Sequence, residues 1–124
     1  MSVERSGYLS FIQLLEFQKN WLRLGLSDSD LRALEKEIMK NPLKHKIVQG
    51  TGGLRTLRFS PKKWKRGKSG STRVTFVFVR TESIVVLVKI NAKNDQQSLS
   101  KKEKNEIEKI LQLIEQRLQD GLDI

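Results

Sequence analysis

Arg55, Arg58 and Arg73 lie within a stretch, Ile38 to Thr81, that holds twelve Lys or Arg and not one Asp or Glu. Half of the chain's 24 positive charges therefore fall where no acid neutralises them locally. Two glycine-rich words lead into these arginines, Gly50-Thr51-Gly52-Gly53-Leu54-Arg55 and Gly67-Lys68-Ser69-Gly70-Ser71-Thr72-Arg73. Glycine lets backbone N–H groups and neighbouring side chains come close to a phosphate. Clustered cations repel one another and gain nothing for folding, so the pattern suits a polyanion.

The chemistry open to such a site is narrow. His45 is the sole histidine, so a paired-histidine acid and base is impossible, and a structural or surface role suits it better. Glu82 and Asp95 form no carboxylate cluster, and a two-metal nuclease would lack its ligands. The chain has no cysteine, which removes disulfides, thiolate nucleophiles and Cys-based zinc sites and fits a reducing cytoplasm. Gly67-Lys68-Ser69 is not a nucleoside-triphosphate loop, because Lys62 stands where the first glycine belongs. Phosphodiester cleavage here would have to run on cations. Arginine would stabilise charge at the phosphate, and a lysine with cationic neighbours would act as acid or base. That chemistry suits RNA, whose 2′-OH is an internal nucleophile. Trp64, set among Lys62, Lys63, Lys65 and Arg66, either stacks on a base or anchors its loop.

The elements that must position these residues follow from pattern. At 124 residues the chain suits a single domain, 1–124, with 1–7 expected as a disordered leader. With 37% hydrophobic and 31% charged residues it reads as globular, while a net charge of +10 calls for an anionic partner. The first residues lack a secretory pattern, and Ile84–Val88 is far short of the ~20 apolar residues that cross a bilayer. Tyr8 to Leu14 predicts a strand and Glu16 to Leu24 a short helix ending at Gly25. Ser27 with Asp30 reads as a helix N-cap, and Leu31, Leu34 and Ile38 follow at helical spacing until Asn41-Pro42. Leu54 to Ser60 alternates as a strand. Arg73 to Arg80 and Ile84 to Ala92 predict two central strands of a hairpin around Thr81-Glu82-Ser83. Ser100 and Glu103 form a capping box ahead of Ile107, Ile110, Leu111, Ile114 and Leu118, a long final helix. The order predicts an α+β fold: a small antiparallel β-sheet flanked by N-terminal helices and a long C-terminal helix.

With a three-residue hairpin loop, Arg80 pairs with Ile84 and Arg73 with Asn91, so Arg73, Asn91 and Lys93 share one face. A two- or four-residue loop would invert that parity. Arg55 and Arg58, three apart, point to opposite faces, so at most one joins the cluster.

Taken in order, Gly50-Thr51-Gly52-Gly53-Leu54-Arg55-Thr56-Leu57-Arg58, Gly67 to Val74, Ala92-Lys93-Asn94-Asp95 and the capped helix after Leu99-Ser100 resemble the HigB-like branch of the RelE/ParE superfamily. These are toxins of type II toxin–antitoxin systems. The resemblance runs from about Phe17 to the last helix, with Thr56 where the pattern usually has lysine and Asn91 where it has an aromatic residue. It implies a ribosome-dependent mRNA endonuclease needing no metal or other cofactor, acting in the cytoplasm on mRNA in the ribosomal A site. Arg58 and Arg73 would then contact or stabilise the scissile phosphate, and Lys93 assist proton transfer or bind phosphate. Arg55 would bind RNA, and Lys62, Lys63, Trp64, Lys65, Arg66 and Lys68, read as a basic loop from their own charge, are expected to bind it too. The resemblance further implies a cognate antitoxin, often of helix-turn-helix type, through which operator DNA is bound. Two alternatives stay open: a ParE-like gyrase inhibitor acting by protein binding, and a non-catalytic RNA-binding module.

Overall fold

A computed structural model describes residues 2–6, 8–47, 54–61, 71–79, 83–92 and 100–120. The chain order is β1 (Ser2–Ser6), β2 (Leu9–Gln13), α1 (Leu15–Arg23), α2 (Asp28–Lys40), β3 (Lys46–Ile47), β4 (Leu54–Phe59), β5 (Thr72–Val79), β6 (Ile84–Ala92) and α3 (Lys101–Gln119). The strands form one sheet in the order β1-β2-β6-β5-β4-β3. The α+β class, the two N-terminal helices and the long C-terminal helix are as the pattern predicts. Three expectations change. Residues 2–6 of the expected leader form β1, which pairs antiparallel with β2 from Ser2↔Gln13 to Ser6↔Leu9. The sheet is mixed, because β2 runs parallel to β6. The hairpin loop has four residues rather than three, since Val79 pairs with Ile84.

Strand β6 is central and apolar on both faces, and its alternation sorts the core into two layers. Val85, Leu87 and Ile90 point with Leu9, Phe11, Leu57, Phe59, Val74 and Phe76 toward α1 and α2. Ile84, Val86 and Val88 point with Ile12, Leu54, Val77 and Val79 toward Ile107, Ile110, Leu111 and Ile114 of α3. Each fully buried apolar side chain contributes about 1.5–3 kcal/mol relative to exposure, so both layers are needed to hold so small a domain.

The helix ends are fixed locally. Gly25, at φ +73°, terminates α1, its N–H donating to the Leu22 carbonyl and that of Leu26 to Trp21. This pair of bonds is the Schellman arrangement, and only glycine enters that left-handed conformation without a Cβ penalty. Trp21 sits between Phe17 and Phe59, with ring centroids 5.6 and 6.0 Å away, and donates its indole N–H to the Ser27 carbonyl at 3.2 Å. At α2 the Ser27 hydroxyl accepts from the Asp30 amide while Asp30 accepts from the Ser27 amide at 2.8 Å. Both halves of the predicted box are present, with Asp in the place more often held by Glu. Arg32 and the fully buried Glu35 form an ion pair on α2 at 2.6 Å.

Candidate functional site

The register places the arginines. Arg58 pairs with Arg73 across β4 and β5, and Arg73 pairs with Asn91 across β5 and β6. Partners in an antiparallel ladder share a face with Cβ atoms about 5 Å apart, so these three residues form a row perpendicular to the strands. The row lies on the face that carries Leu54, Val77 and Val79, the face on which α3 packs, at the opposite end of the strands from those residues.

Arg73 faces Asn91, as the sequence predicts, for a different reason. A four-residue loop alone would turn Asn91 to the other face. The register shifts between Thr75 and Phe76, where Thr75 pairs with Lys89 but Phe76 with Leu87, so Val88 is an extra residue on β6. This β-bulge restores the parity that the longer loop inverts.

A second row runs beside the first, two residues along the strands and therefore about 7 Å away. It comprises Lys46, Thr56, Thr75 and Lys89, successive partners across β3, β4, β5 and β6. Cations thus stand at Arg58, Arg73, Lys46 and Lys89 around a floor of two threonines and an asparagine. Among the described residues, neither Arg58 nor Arg73 has an acidic partner. Like charges opposite each other weaken a sheet, so this pair costs stability that an anion between them would recover. Sequence reasoning missed Lys46 and Lys89. Lys89 could have been found as the single charge in the otherwise apolar run Ile84–Ile90; a two-residue edge strand leaves Lys46 no such signal.

Lys89 is held. Its Nζ lies 3.5 Å from Oε2 of Glu103, both side chains being largely shielded. Glu103 also accepts from the Ser100 amide at 2.9 Å, and the Ser100 hydroxyl accepts from the Glu103 amide, closing the predicted capping box of α3. Burial pushes the Glu103 carboxyl up, but the Ser100 amide, Lys89 and the Ser100 hydroxyl outweigh it and leave the group below its usual value. The first turn of α3, whose free N–H groups carry partial positive charge, is thereby tied to β6 beside the two rows.

Arg55 is not brought to this face. It pairs with Ile47 and Phe76 and belongs to the α1–α2 side. Its Nη1 donates to the carbonyls of Leu43 (3.0 Å) and His45 (2.8 Å), clamping the segment after α2 onto β4. The His45 ring meets the edge of Phe76 with centroids 5.7 Å apart, and burial, followed by Lys44, lowers its pKa. Its Nε2 is buried with no hydrogen-bond partner, which suits a neutral ring in a structural role.

The basic loop leaves the sheet next to the arginine row. Phe59 pairs with Thr72 immediately beyond Arg58↔Arg73, the Thr72 hydroxyl donates to the Phe59 carbonyl at 2.8 Å, and the Ser60 and Ser71 hydroxyls lie 3.1 Å apart. Lys62, Lys63, Trp64, Lys65, Arg66, Lys68 and Lys93 lie outside the described residues. Among the described residues, no group of three or more His, Cys, Asp or Glu could hold a metal ion, and no helix is long and apolar enough to cross a membrane.

No protein-family model matches the sequence. Among solved structures the chain is similar to the E. coli toxin RelE in the free state, a mutant in which two arginines are replaced by alanine. The TM-score is 0.50 at 13% identity, over 72% of this chain and 86% of that one. The fold is RelE-like.

Proposed function

We propose that this chain is the toxin of a type II toxin–antitoxin system and that it cleaves mRNA on the ribosome without a metal. The observation that carries the reading is the Arg58–Arg73–Asn91 row, two unneutralised guanidinium groups facing each other on an open end of a RelE-like sheet. Arg58 and Arg73 would bracket the scissile phosphate. The 2′-oxygen would attack phosphorus as the P–O5′ bond breaks, leaving a cyclic phosphate and a 5′-hydroxyl, and the two arginines would stabilise the added negative charge. Lys93, two residues beyond Asn91, is the residue we assign to proton transfer, and Lys62, Lys63, Trp64, Lys65, Arg66 and Lys68 to the RNA backbone and bases. The double carbonyl engagement of Arg55 favours a supporting role behind the site over direct contact with RNA.

The same cationic surface suits an acidic segment of a cognate antitoxin, which would cover the site and carry any operator binding. The site of action would be the cytoplasm, on mRNA in the ribosomal A site. Expression of the chain in bacteria should halt incorporation of labelled methionine within minutes, and Arg73→Ala should not. Continued translation together with lost plasmid supercoiling would reject this reading in favour of a gyrase inhibitor.

A further inference from the structure

Beyond the arginine row, the sheet ends in a cleft of about 400 Å³ at the edge of β6. Strand β2 pairs with β6 only from Ser10↔Ile84 to Gln13↔Leu87, so the last residues of β6 run past their neighbour. The last turn of α1 forms the opposite wall, which brings Asn20, Arg23 and Leu24 beside Lys89, Ile90, Asn91 and Ala92.

We propose that this cleft holds one nucleotide of single-stranded RNA flanking the phosphate at Arg58 and Arg73; the inference rests on RNA being the substrate. Asn91 ends the arginine row on the α3 face and also lines the cleft, whose other wall is α1, so a strand leaving the row reaches the cleft by turning over the free edge of β6. The volume falls within the range of small-ligand sites. The lining on the α1 side suits a nucleotide: Leu24, Ile90 and Ala92 offer apolar surface to a base or ribose, Asn20 carries a carboxamide and Arg23 a charge. Lys89 and Asn91, whose side chains belong to the α3 face, border the cleft at the strand's edge, and no acid is among the lining residues. Because Lys89 is paired with Glu103, the unneutralised cation is Arg23, which has no ion pair or hydrogen bond from its side chain among the described residues. The C-terminal end of α1 would by itself repel a phosphate, and Arg23 in its last turn reverses that sign.

The test uses the full chain and a series of labelled single-stranded 2′-O-methyl oligonucleotides, which bind without being cut, read by fluorescence anisotropy against salt. Arg23→Gln is compared with Lys19→Gln, a change of equal charge on an exposed α1 residue outside the cleft. We expect Arg23→Gln to weaken binding about two- to fivefold and to flatten the log–log salt slope by about 0.7, as loss of one phosphate contact does, with Lys19→Gln unchanged. The loss should vanish for oligonucleotides too short to reach the cleft. Equal losses in both variants, or none in Arg23→Gln, would overturn the inference, as would Arg23-dependent capture of a polyglutamate peptide without any of RNA. The two readings fail separately. If Arg73→Ala abolishes cleavage while Arg23→Gln binds like wild type, only the cleft assignment falls. If the wild type never cuts but binds RNA through Arg23, the nuclease reading falls and the cleft stands.

Discussion

Arg58 and Arg73 face each other as like charges, while Arg55, three residues from Arg58, spends its guanidinium on two backbone carbonyls. The two kinds of arginine should therefore answer mutation in opposite ways. Arg73→Ala should leave stability within about 0.5 kcal/mol of wild type, since it removes repulsion, and lower the cleavage rate on the order of 10²- to 10³-fold. Arg55→Ala should cost about 1–3 kcal/mol in urea unfolding, because it strips two carbonyls of a charged donor. A stable Arg55→Ala that binds no RNA would reverse that assignment. His45 makes a prediction in pH. Its folded pKa is lowered, by burial first, so the unfolded chain takes up the proton more readily. The stability linked to the neutral ring is fully present above the unfolded value near 6.5 and is lost as pH falls from there toward the folded pKa. Thermal melts should show Tm falling over that window in wild type, and His45→Leu should flatten this part of the curve. Parity in the sequence separates Arg55 from Arg58 but does not say which reaches the site, because that depends on which sheet face α1 and α2 cover.

At the scale of elements, Val88 is the extra residue that lets a four-residue hairpin loop and the Arg73–Asn91 pairing coexist. Deleting it should remove the bulge and join Phe76↔Leu87, Thr75↔Lys89 and Arg73↔Asn91 into one regular ladder, with Asn91 still opposite Arg73 on the α3 side. The variant should keep both its α+β circular dichroism and its cleavage; lost cleavage with the fold intact would show that the bulge itself, and not only the Arg73–Asn91 pairing, shapes the site. At α3, Glu103 sits below its usual pKa through the Ser100 amide and hydroxyl and Lys89, which outweigh its burial. The stability it contributes is present above the ordinary carboxylate value and is lost as pH falls through the lowered one. Ser100→Ala should cost about 1 kcal/mol and shrink this acid-side loss, read from urea midpoints across pH. Both capping boxes, the central hairpin and the termini of α2 were legible because each is a local signal of residue type at fixed spacing. Strand β1 was not, since Ser2-Val3-Glu4-Arg5-Ser6 offers one apolar residue and no period-two alternation, and β3 is two residues long. The bulge was equally hidden: an all-apolar strand reads the same with one residue more or less.

The whole molecule carries +10 with its acids gathered largely in the helices, and the two rows of cations occupy the sheet surface beyond the first turn of α3. Binding of single-stranded RNA should therefore fall steeply with salt, with a log–log slope of about −2 to −3 for three or four phosphate contacts, and a slope near zero would remove the polyanion from the account. The RelE-like fold was legible in the order of glycine-rich words, capped helices and apolar strands, whereas the parallel β2–β6 pairing was not, because nothing local records which strands meet across a helical crossover. The central claim is that the chain cuts mRNA on the ribosome through Arg73. It is tested most directly by adding the purified protein and its Arg73→Ala variant to a cell-free translation reaction, with and without ribosomes, and mapping new mRNA 5′ ends by primer extension. The account predicts discrete new ends with wild type only when ribosomes are present, and none with the variant. Intact mRNA with the wild type, or identical cuts with Arg73→Ala, would contradict it.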